Sequence, residues 1–77
     1  MGESRKYLVV IERAADGSYG AFVPDLPGCA VCGQDTPEDA EAMIREAIDF
    51  HVQGLLADHE PVPEPTTRSA YVETSAG

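Results

Sequence analysis

The sequence predicts an α+β fold, in which a small antiparallel sheet is covered on one face by a single helix and the elements follow the order β-β-β-α-β. Three observations support this prediction: two strand-like runs flank an Asp-Gly turn, a short third run follows a proline-rich loop, and a long apolar stripe at helical spacing comes next. The 77 residues have room for one domain, so we expect a single domain over residues 1–77, with a core from about residue 6 to 75 and frayed ends.

The first half of the chain has the features of a hairpin followed by a third strand. Two runs rich in β-branched and aromatic residues are separated by Asp16-Gly17, a strong turn signal because glycine accepts a positive φ. Residues 24–28 contain two prolines and a glycine, which favour a tight loop. We therefore predict strands at residues 6–13, 19–24 and 29–34.

A long helix is predicted after the third strand. Thr36 can accept a hydrogen bond from a free backbone N–H and Pro37 suits the first helical position, so the helix should run from Pro37 to about Ala57. Its apolar residues recur every three or four positions and form one stripe, made of Ala40, Met43, Ile44, Ala47, Ile48, Val52 and Leu55. Prolines at every second position then force an extended segment, after which residues 70–74 predict a fourth strand. The predicted spatial order is 3-2-1-4, with a right-handed crossover through the helix.

Negative charge is concentrated after the first strand. The formal net charge is −9, and 12 of the 14 acidic residues follow Arg13, against only Arg45 and Arg68. A field of this sign repels phosphate backbones and attracts basic proteins, so we expect a basic protein partner and no direct nucleic-acid binding. An acidic surface that only keeps a small protein soluble explains the charge equally well. Because a domain of this size has a marginal core, we expect oligomerisation or another protein to complete it.

Four side chains invite a metal or redox interpretation: Cys29, Cys32, His51 and His59. A redox Cys-x-x-Cys pair needs a cysteine near a helix N-terminus, whereas these cysteines lie in a predicted strand. The histidines are eight residues apart, which is not a zinc-binding spacing. We therefore expect no metal, no cofactor and reduced thiols in a cytoplasmic protein. No apolar stretch approaches the roughly 18 residues needed to span a membrane.

The element order also resembles the opening part of an RNase H-like fold, whose enzymes hold Mg²⁺ between acids on the first strand, the helix and the fourth strand. Glu12, a helix acid and Glu73 are available for those positions. Two-metal chemistry needs acids that converge on ions about 4 Å apart, whereas Glu12 lies at the far end of its strand and the helix acids fall on the polar side. The sequence also has no Gly-x-Ser-x-Gly elbow and no phosphate-binding loop. We therefore expect that the protein is not an enzyme.

Three stretches of the chain carry a specific pattern. The first consists of residues 16–19 (Asp-Gly-Ser-Tyr) and 22–29 (Phe-Val-Pro-Asp-Leu-Pro-Gly-Cys). The second is the helix entry at residues 33–40 (Gly-Gln-Asp-Thr-Pro-Glu-Asp-Ala), and the third is the exit at residues 60–65 (Glu-Pro-Val-Pro-Glu-Pro). Over about residues 6–65 the chain resembles the HicB family of antitoxins.

This resemblance implies a partial RNase H-like fold without nuclease activity. It also implies a protein partner, because members of the family bind HicA, a small basic toxin that cleaves mRNA, and mask its RNA-binding and catalytic surface. Many members carry a C-terminal ribbon-helix-helix or helix-turn-helix domain that binds the promoter of the operon. This sequence ends without one, so we expect no direct DNA binding.

The residues that we expect to contact the partner combine acidic groups with apolar anchors, because charge speeds association whereas buried anchors supply affinity. They are Asp16, Tyr19, Phe22, Asp25, Leu26, Glu38, Glu41, Asp49 and Tyr71. A merely solvated role explains each acid equally well, and Pro24, Pro27 and Gly28 are expected to fix the loop. The alternative function is an orphan HicB-like protein without a toxin, which forms a homodimer or homotetramer through sheet edges or helix faces.

Overall fold

The computed structural model describes residues 5–75 and contains three strands followed by one helix. Strands β1 (Val10–Arg13), β2 (Tyr19–Phe22) and β3 (Ala30–Gln34) form an antiparallel sheet in the order β1-β2-β3. Helix α1 (Pro37–Ala57) packs against all three strands. The predicted α+β class, an open antiparallel sheet with one helix, is confirmed.

A tight turn joins β1 to β2 and sets their register. The carboxylate of Asp16 accepts hydrogen bonds from the Ser18 hydroxyl (2.7 Å) and backbone N–H (2.9 Å). Both bonds favour the charged carboxylate, the hydroxyl most strongly, and hold the pKa of Asp16 below its ordinary value. Gly17 adopts a φ of 89°, which residues with a Cβ rarely do. The turn places Val10 opposite Phe22.

Strands β2 and β3 approach each other closely at Gly20. Their pairing is irregular between Tyr19 and Ala21. A Cβ built on Gly20 would lie only 2.8 Å from the carbonyl oxygen of Val31. A side chain at this position would therefore push the two strands apart, which explains a glycine inside the central strand.

The core is small and brings the sheet, the following loop and the helix together. Its buried members are Ala21, Val23, Leu26, Cys29, Ala40 and Ile44. The loop between β2 and β3 folds back on itself, because the Leu26 N–H donates to the Val23 carbonyl (3.0 Å) and the Cys29 N–H donates to the Leu26 carbonyl (3.0 Å). This turn delivers the Leu26 side chain to the core, where its exposed fraction is 0%. Burial also raises the pKa of the Cys29 thiol.

Local bonds fix both ends of α1. The hydroxyl of Thr36 accepts a hydrogen bond from the Asp39 N–H (3.0 Å), so the predicted start of the helix is confirmed. After Ala57, His59 adopts a φ of 57° and the helix ends, also as predicted. Across residues 5–75, no helix combines the length and the apolar character needed to cross a membrane.

The strands are shorter than predicted. β1 begins at Val10 rather than at residue 6, β2 ends at Phe22 rather than at residue 24, and β3 begins at Ala30 rather than at residue 29. Composition predicts which residues tolerate an extended backbone, whereas a ladder also needs a partner strand opposite each residue. The pairing of β1 with β2 starts only at Val10.

The predicted fourth strand is wrong for this structure. Residues 70–74 are exposed and have no regular secondary structure, and the sheet found within residues 5–75 consists of β1, β2 and β3. The preceding residues are held elsewhere: the Pro63 carbonyl accepts a hydrogen bond from the Tyr7 hydroxyl (2.6 Å), and Thr66 is bound to the loop between β2 and β3. As a result β1 lies at an edge of the sheet, and the predicted order 3-2-1-4 is replaced by β1-β2-β3.

Candidate partner-binding surfaces

The titratable and thiol side chains are dispersed over the described part of the chain. Within residues 5–75, no three side chains of His, Cys, Asp or Glu are grouped so that they could hold a metal ion. Cys29 is buried, Cys32 is exposed, and both are free thiols. Three surfaces and one side-chain cluster are distinctive in shape or charge instead.

The first surface, which we call the acidic helix face, is the exposed side of α1. It is formed by the exposed residues Glu38, Asp39, Glu41, Glu46 and Asp49. The apolar stripe of the helix faces the sheet, so most of these acids lie on the opposite side, whereas Glu41 lies at the flank of the helix next to the N-terminal segment. The one basic residue between them in the sequence is Arg45, whose Nη2 lies 2.8 Å from Oε2 of Glu41. The remaining acids form a negative band about three helical turns long.

The second surface, the open sheet face, is the side of the sheet that α1 leaves uncovered. Directly opposed residues of an antiparallel sheet point to the same side, so Val10, Phe22 and Ala30 share this face. Phe22 is exposed, and next to it the absence of a side chain at Gly20 contributes to a hollow of about 260 Å³. An exposed aromatic ring beside a recess is typical of an apolar anchor in a protein interface.

The third surface, the β1 groove, lies between the outer edge of β1 and the helix. It has a volume of about 480 Å³ and is lined by Lys6, Tyr7, Val9, Ile11, Glu41, Ile44, Arg45 and Ile48. Its apolar side chains come from both elements, and its charged side chains are exposed. In the sheet of residues 5–75, β1 is paired with β2 alone, so its other edge, beside this groove, has no partner strand.

The side-chain cluster, which we call the Asp25 clamp, ties the C-terminal segment to the loop between β2 and β3. The carboxylate of Asp25 accepts hydrogen bonds from the backbone N–H groups of Thr66 and Thr67, both at 2.9 Å. It also accepts hydrogen bonds from the hydroxyls of Thr66 (3.2 Å) and Thr67 (2.7 Å). One carboxylate thus fixes two consecutive residues that are about forty positions away in the sequence.

The Asp25 clamp is expected to open at acidic pH. The backbone N–H of Thr67 and then its hydroxyl hold the pKa of Asp25 below the ordinary value of 3.8. Because the pKa is lowered in the folded state, the clamp contributes its stability above about pH 4 and loses it as the pH falls through the lowered pKa. We therefore expect the Thr66 and Thr67 amides to be protected from hydrogen exchange above about pH 4 and to lose this protection at lower pH, which NMR can measure.

The Asp25→Ala variant is the reference for this experiment. In this variant, the Thr66 and Thr67 amides should exchange at every pH with the low protection that the parent protein shows only at acidic pH. Equal protection at pH 7 in the variant and in the parent protein would contradict the clamp.

The predicted contact residues are distributed over several parts of the molecule. Glu38, Glu41 and Asp49 lie together on the acidic helix face, as the polar side of the predicted helix implied. Phe22 lies on the open sheet face, and Asp16 lies at the hairpin tip, where its carboxylate is bound to Ser18. These residues therefore form more than one surface.

The other four predicted residues have different surroundings. Tyr19 is half-buried against the core, Asp25 forms the clamp, and Tyr71 is 105% exposed. Leu26 is a correction: it is fully buried, so it supports the core and is not an exposed anchor. The β1 groove was not predicted from the sequence, although the alternation of Tyr7, Val9 and Ile11 marks the face of the N-terminal segment that lines the groove with α1.

Comparison with known proteins gives a consistent assignment. Residues 7–76 match the family described as HicB_like antitoxin of bacterial toxin-antitoxin system. A UPF0150 protein of Synechocystis sp. is 47% identical over 58 residues, which cover 75% of this chain and 72% of that protein. A 14.9 kDa protein from the rep-hol intergenic region of Haemophilus phage HP1 is 41% identical over 66 residues, which cover 86% of this chain and 48% of that protein. The antitoxin HicB 2 of Photorhabdus laumondii is 32% identical over 77 residues, which cover 99% of this chain and 54% of that protein.

The fold and the three surfaces define a small α+β domain whose distinctive features are suited to binding a protein. The chain belongs to the HicB-like antitoxin family of bacterial toxin-antitoxin systems. Family membership supports an antitoxin-like, non-enzymatic role and implies a toxin partner. The chain spans about half the length of the Photorhabdus antitoxin and of the phage protein.

Proposed function

We propose that this protein is an antitoxin that binds and inhibits a small basic mRNA-cleaving toxin of the HicA type, by covering the toxin's RNA-binding and catalytic surface. The observation that carries the proposal is the acidic helix face. A surface that binds RNA must attract phosphates and is therefore positively charged. A rigid band of carboxylates along a helix is the electrostatic complement of such a surface.

The proposed inhibition is steric and electrostatic. Long-range attraction between the acidic helix face and the toxin speeds their encounter, whereas apolar side chains at the centre of the contact slow dissociation. Phe22 on the open sheet face is the exposed aromatic side chain of the sheet that can serve as such an anchor. Inhibition of this kind needs no metal, cofactor or chemical step. We place it in the cytoplasm, where the toxin meets mRNA and where Cys29 and Cys32 stay reduced.

Charge reversal on the acidic helix face should slow toxin binding. The double variant Glu46→Lys/Asp49→Lys is expected to lower the association rate constant about tenfold or more at low salt, with a smaller change in the dissociation rate. Surface plasmon resonance against a purified toxin of the HicA type measures both rates. The effect should shrink as salt rises, because exposed charges are screened within about 10 Å at 0.1 M ionic strength.

A matched control separates local complementarity from total charge. The double variant Asp58→Lys/Glu60→Lys makes the same change in net charge on exposed residues beyond the end of α1. It should slow association less than Glu46→Lys/Asp49→Lys. An RNA-cleavage assay tests the function itself: if the toxin cleaves RNA equally fast with and without this protein, the proposal is wrong.

The second candidate function is an orphan HicB-like protein that assembles with itself, as a homodimer or homotetramer, and has no toxin. The observation that favours it is the edge of β1 that has no partner strand within residues 5–75 and lies beside an apolar groove, since such edges readily pair with other strands. A short basic reading frame next to the gene would favour the toxin pair, and its absence would favour self-assembly. In both cases we propose that residues 1–77 act as one domain.

A further inference from the structure

We propose that the β1 groove receives residues 70–74 of a second copy of this chain, so that two molecules exchange their C-terminal segments reciprocally. This inference does not require a toxin. It rests on an open sheet edge, on an apolar groove beside that edge, and on an exposed apolar segment that fits both.

The receptor is the outer edge of β1 together with the β1 groove. The edge offers backbone N–H and C=O groups that a further strand can pair with. Beside it, Val9 and Ile11 from the β1 side line the groove together with Ile44 and Ile48 of the helix, which gives the groove an apolar floor. Addition of a strand here would satisfy the backbone groups and remove this apolar area from water at the same time.

The ligand is the C-terminal segment. Residues 66–75 are all exposed, and Tyr71 and Val72 have exposed fractions of 105% and 87%. The radius of gyration is 14.6 Å, whereas a compact chain of this length is expected at about 11–12 Å. The segment therefore projects from the body and presents an aromatic and a β-branched residue, the types that favour strands, to solvent.

The position of the Asp25 clamp favours exchange between two copies over docking within one chain. The chain passes the start of β1 at Pro63, whose carbonyl is bound by Tyr7, and four residues later Asp25 holds Thr67 at the loop between β2 and β3. That loop joins the two strands away from the outer edge of β1. Residues 70–74, which follow this attachment, are exposed and do not line the groove of their own chain, so the groove of a second copy can reach them.

The side chains of the segment match those around the groove. In a strand, Ala70 and Val72 point to one side and Tyr71 and Glu73 point to the other. With Val72 on the apolar floor, Tyr71 and Glu73 lie on the side of the open sheet face, where Tyr71 can cover Val10.

Charge also restricts where two copies can meet. Each chain has a formal net charge of −9, so most contacts between two copies bring like charges together. The β1 groove is an exception, because its charged lining consists of two basic residues, Lys6 and Arg45, and one acid, Glu41, which is paired with Arg45. A segment with Glu73 as its charged residue is attracted to this place.

Multi-angle light scattering of the full chain over a range of concentrations tests the proposal. The parent protein should form a dimer, and Tyr71→Ser/Val72→Ser should raise the dimer dissociation constant about tenfold or more, since both side chains are exposed in the single molecule and have no folding role there. The control Phe50→Ser removes an aromatic residue that is 82% exposed on the helix outside the groove, and it should leave the dimer unchanged. A monomeric parent protein, or equal effects of the two changes, would overturn the proposal.

Hydrogen–deuterium exchange locates the contact. In the dimer, the amides of residues 6–11 should be protected, and this protection should be lost in the Tyr71→Ser/Val72→Ser variant while the amides of α1 keep theirs. A dimer that depends on Tyr71 and Val72 but leaves residues 6–11 unprotected would mean that the segment docks elsewhere, and would overturn the proposal. Neither measurement involves a toxin, so these outcomes are independent of the antitoxin function.

Discussion

Replacing Leu26 with Ala is expected to destabilise the domain by about 2–5 kcal/mol, a large part of the total stability of so small a protein. Leu26 and Ile44 are the largest fully buried side chains, and the buried core around them has only four further members. Alanine would leave a cavity beneath the helix and would remove the contact that fixes the loop between β2 and β3. Urea denaturation followed by circular dichroism at 222 nm, the usual wavelength for helix content, measures the loss.

The Leu56→Ala variant is the matched control for this experiment. Leu56 is 59% exposed on the helix, so its truncation should change the free energy of unfolding by about 0.5 kcal/mol or less. If the two variants lost the same small amount, the loop would not anchor the core as the structure describes. Because Leu26 is followed along the loop by the buried Cys29, its loss should also expose that thiol to alkylating reagents.

Replacing Gly20 with Ala is the second change with a large expected effect. The new methyl group would meet the carbonyl oxygen of Val31 at 2.8 Å, and this oxygen belongs to the backbone of β3 and cannot rotate away. The strands must shift, at a cost of about 1–3 kcal/mol. Thermal or urea unfolding measures the change.

Gly54→Ala provides a control with the opposite sign. Gly54 lies inside α1, and a Cβ there would meet no atom within 4 Å. Alanine should therefore stabilise the helix by up to about 1 kcal/mol, through its higher helix propensity. A Gly20→Ala protein as stable as the Gly54→Ala protein would show that the close approach of β2 and β3 is not a constraint.

The helix was predictable because the signals that define it are local. Thr36 and Pro37 mark its start within two residues, and the stripe that includes Ala40 and Ile44 repeats at the helical period. Each of these effects acts over one or two turns of backbone. The hairpin was predictable for the same reason, since Asp16 and Gly17 determine the turn by themselves.

Features that depend on distant residues were not predictable in this way. Leu26 stands between Asp25 and Pro27 in a loop of polar and turn-forming character, and only its packing with residues of α1 makes it buried. The Asp25 clamp joins Asp25 to Thr66, 41 positions further along the chain, and no sequence pattern near either residue predicts this contact. The prediction of a fourth strand was wrong because residues 70–74 have the composition of a strand but no neighbouring strand to pair with in the sheet of residues 5–75.

The candidate binding surfaces also divide into those set by local sequence and those that depend on distant residues. The acidic helix face follows from the helical period, so Glu38, Glu41 and Asp49 could be placed together from the sequence. The β1 groove could not, because it exists only where the edge of β1 is left without a neighbouring strand.

The long sequence separation within the Asp25 clamp also has a consequence for how the protein is made. Every buried core residue has been synthesised once residue 44 has been added, and the helix is complete at Ala57. Thr66 and Thr67 belong neither to the core nor to these elements, so the sheet and the helix can form before the Asp25 clamp closes. Attachment of Thr66 and Thr67 to Asp25 is then a late step of folding, in which an extended segment joins a body that has already formed.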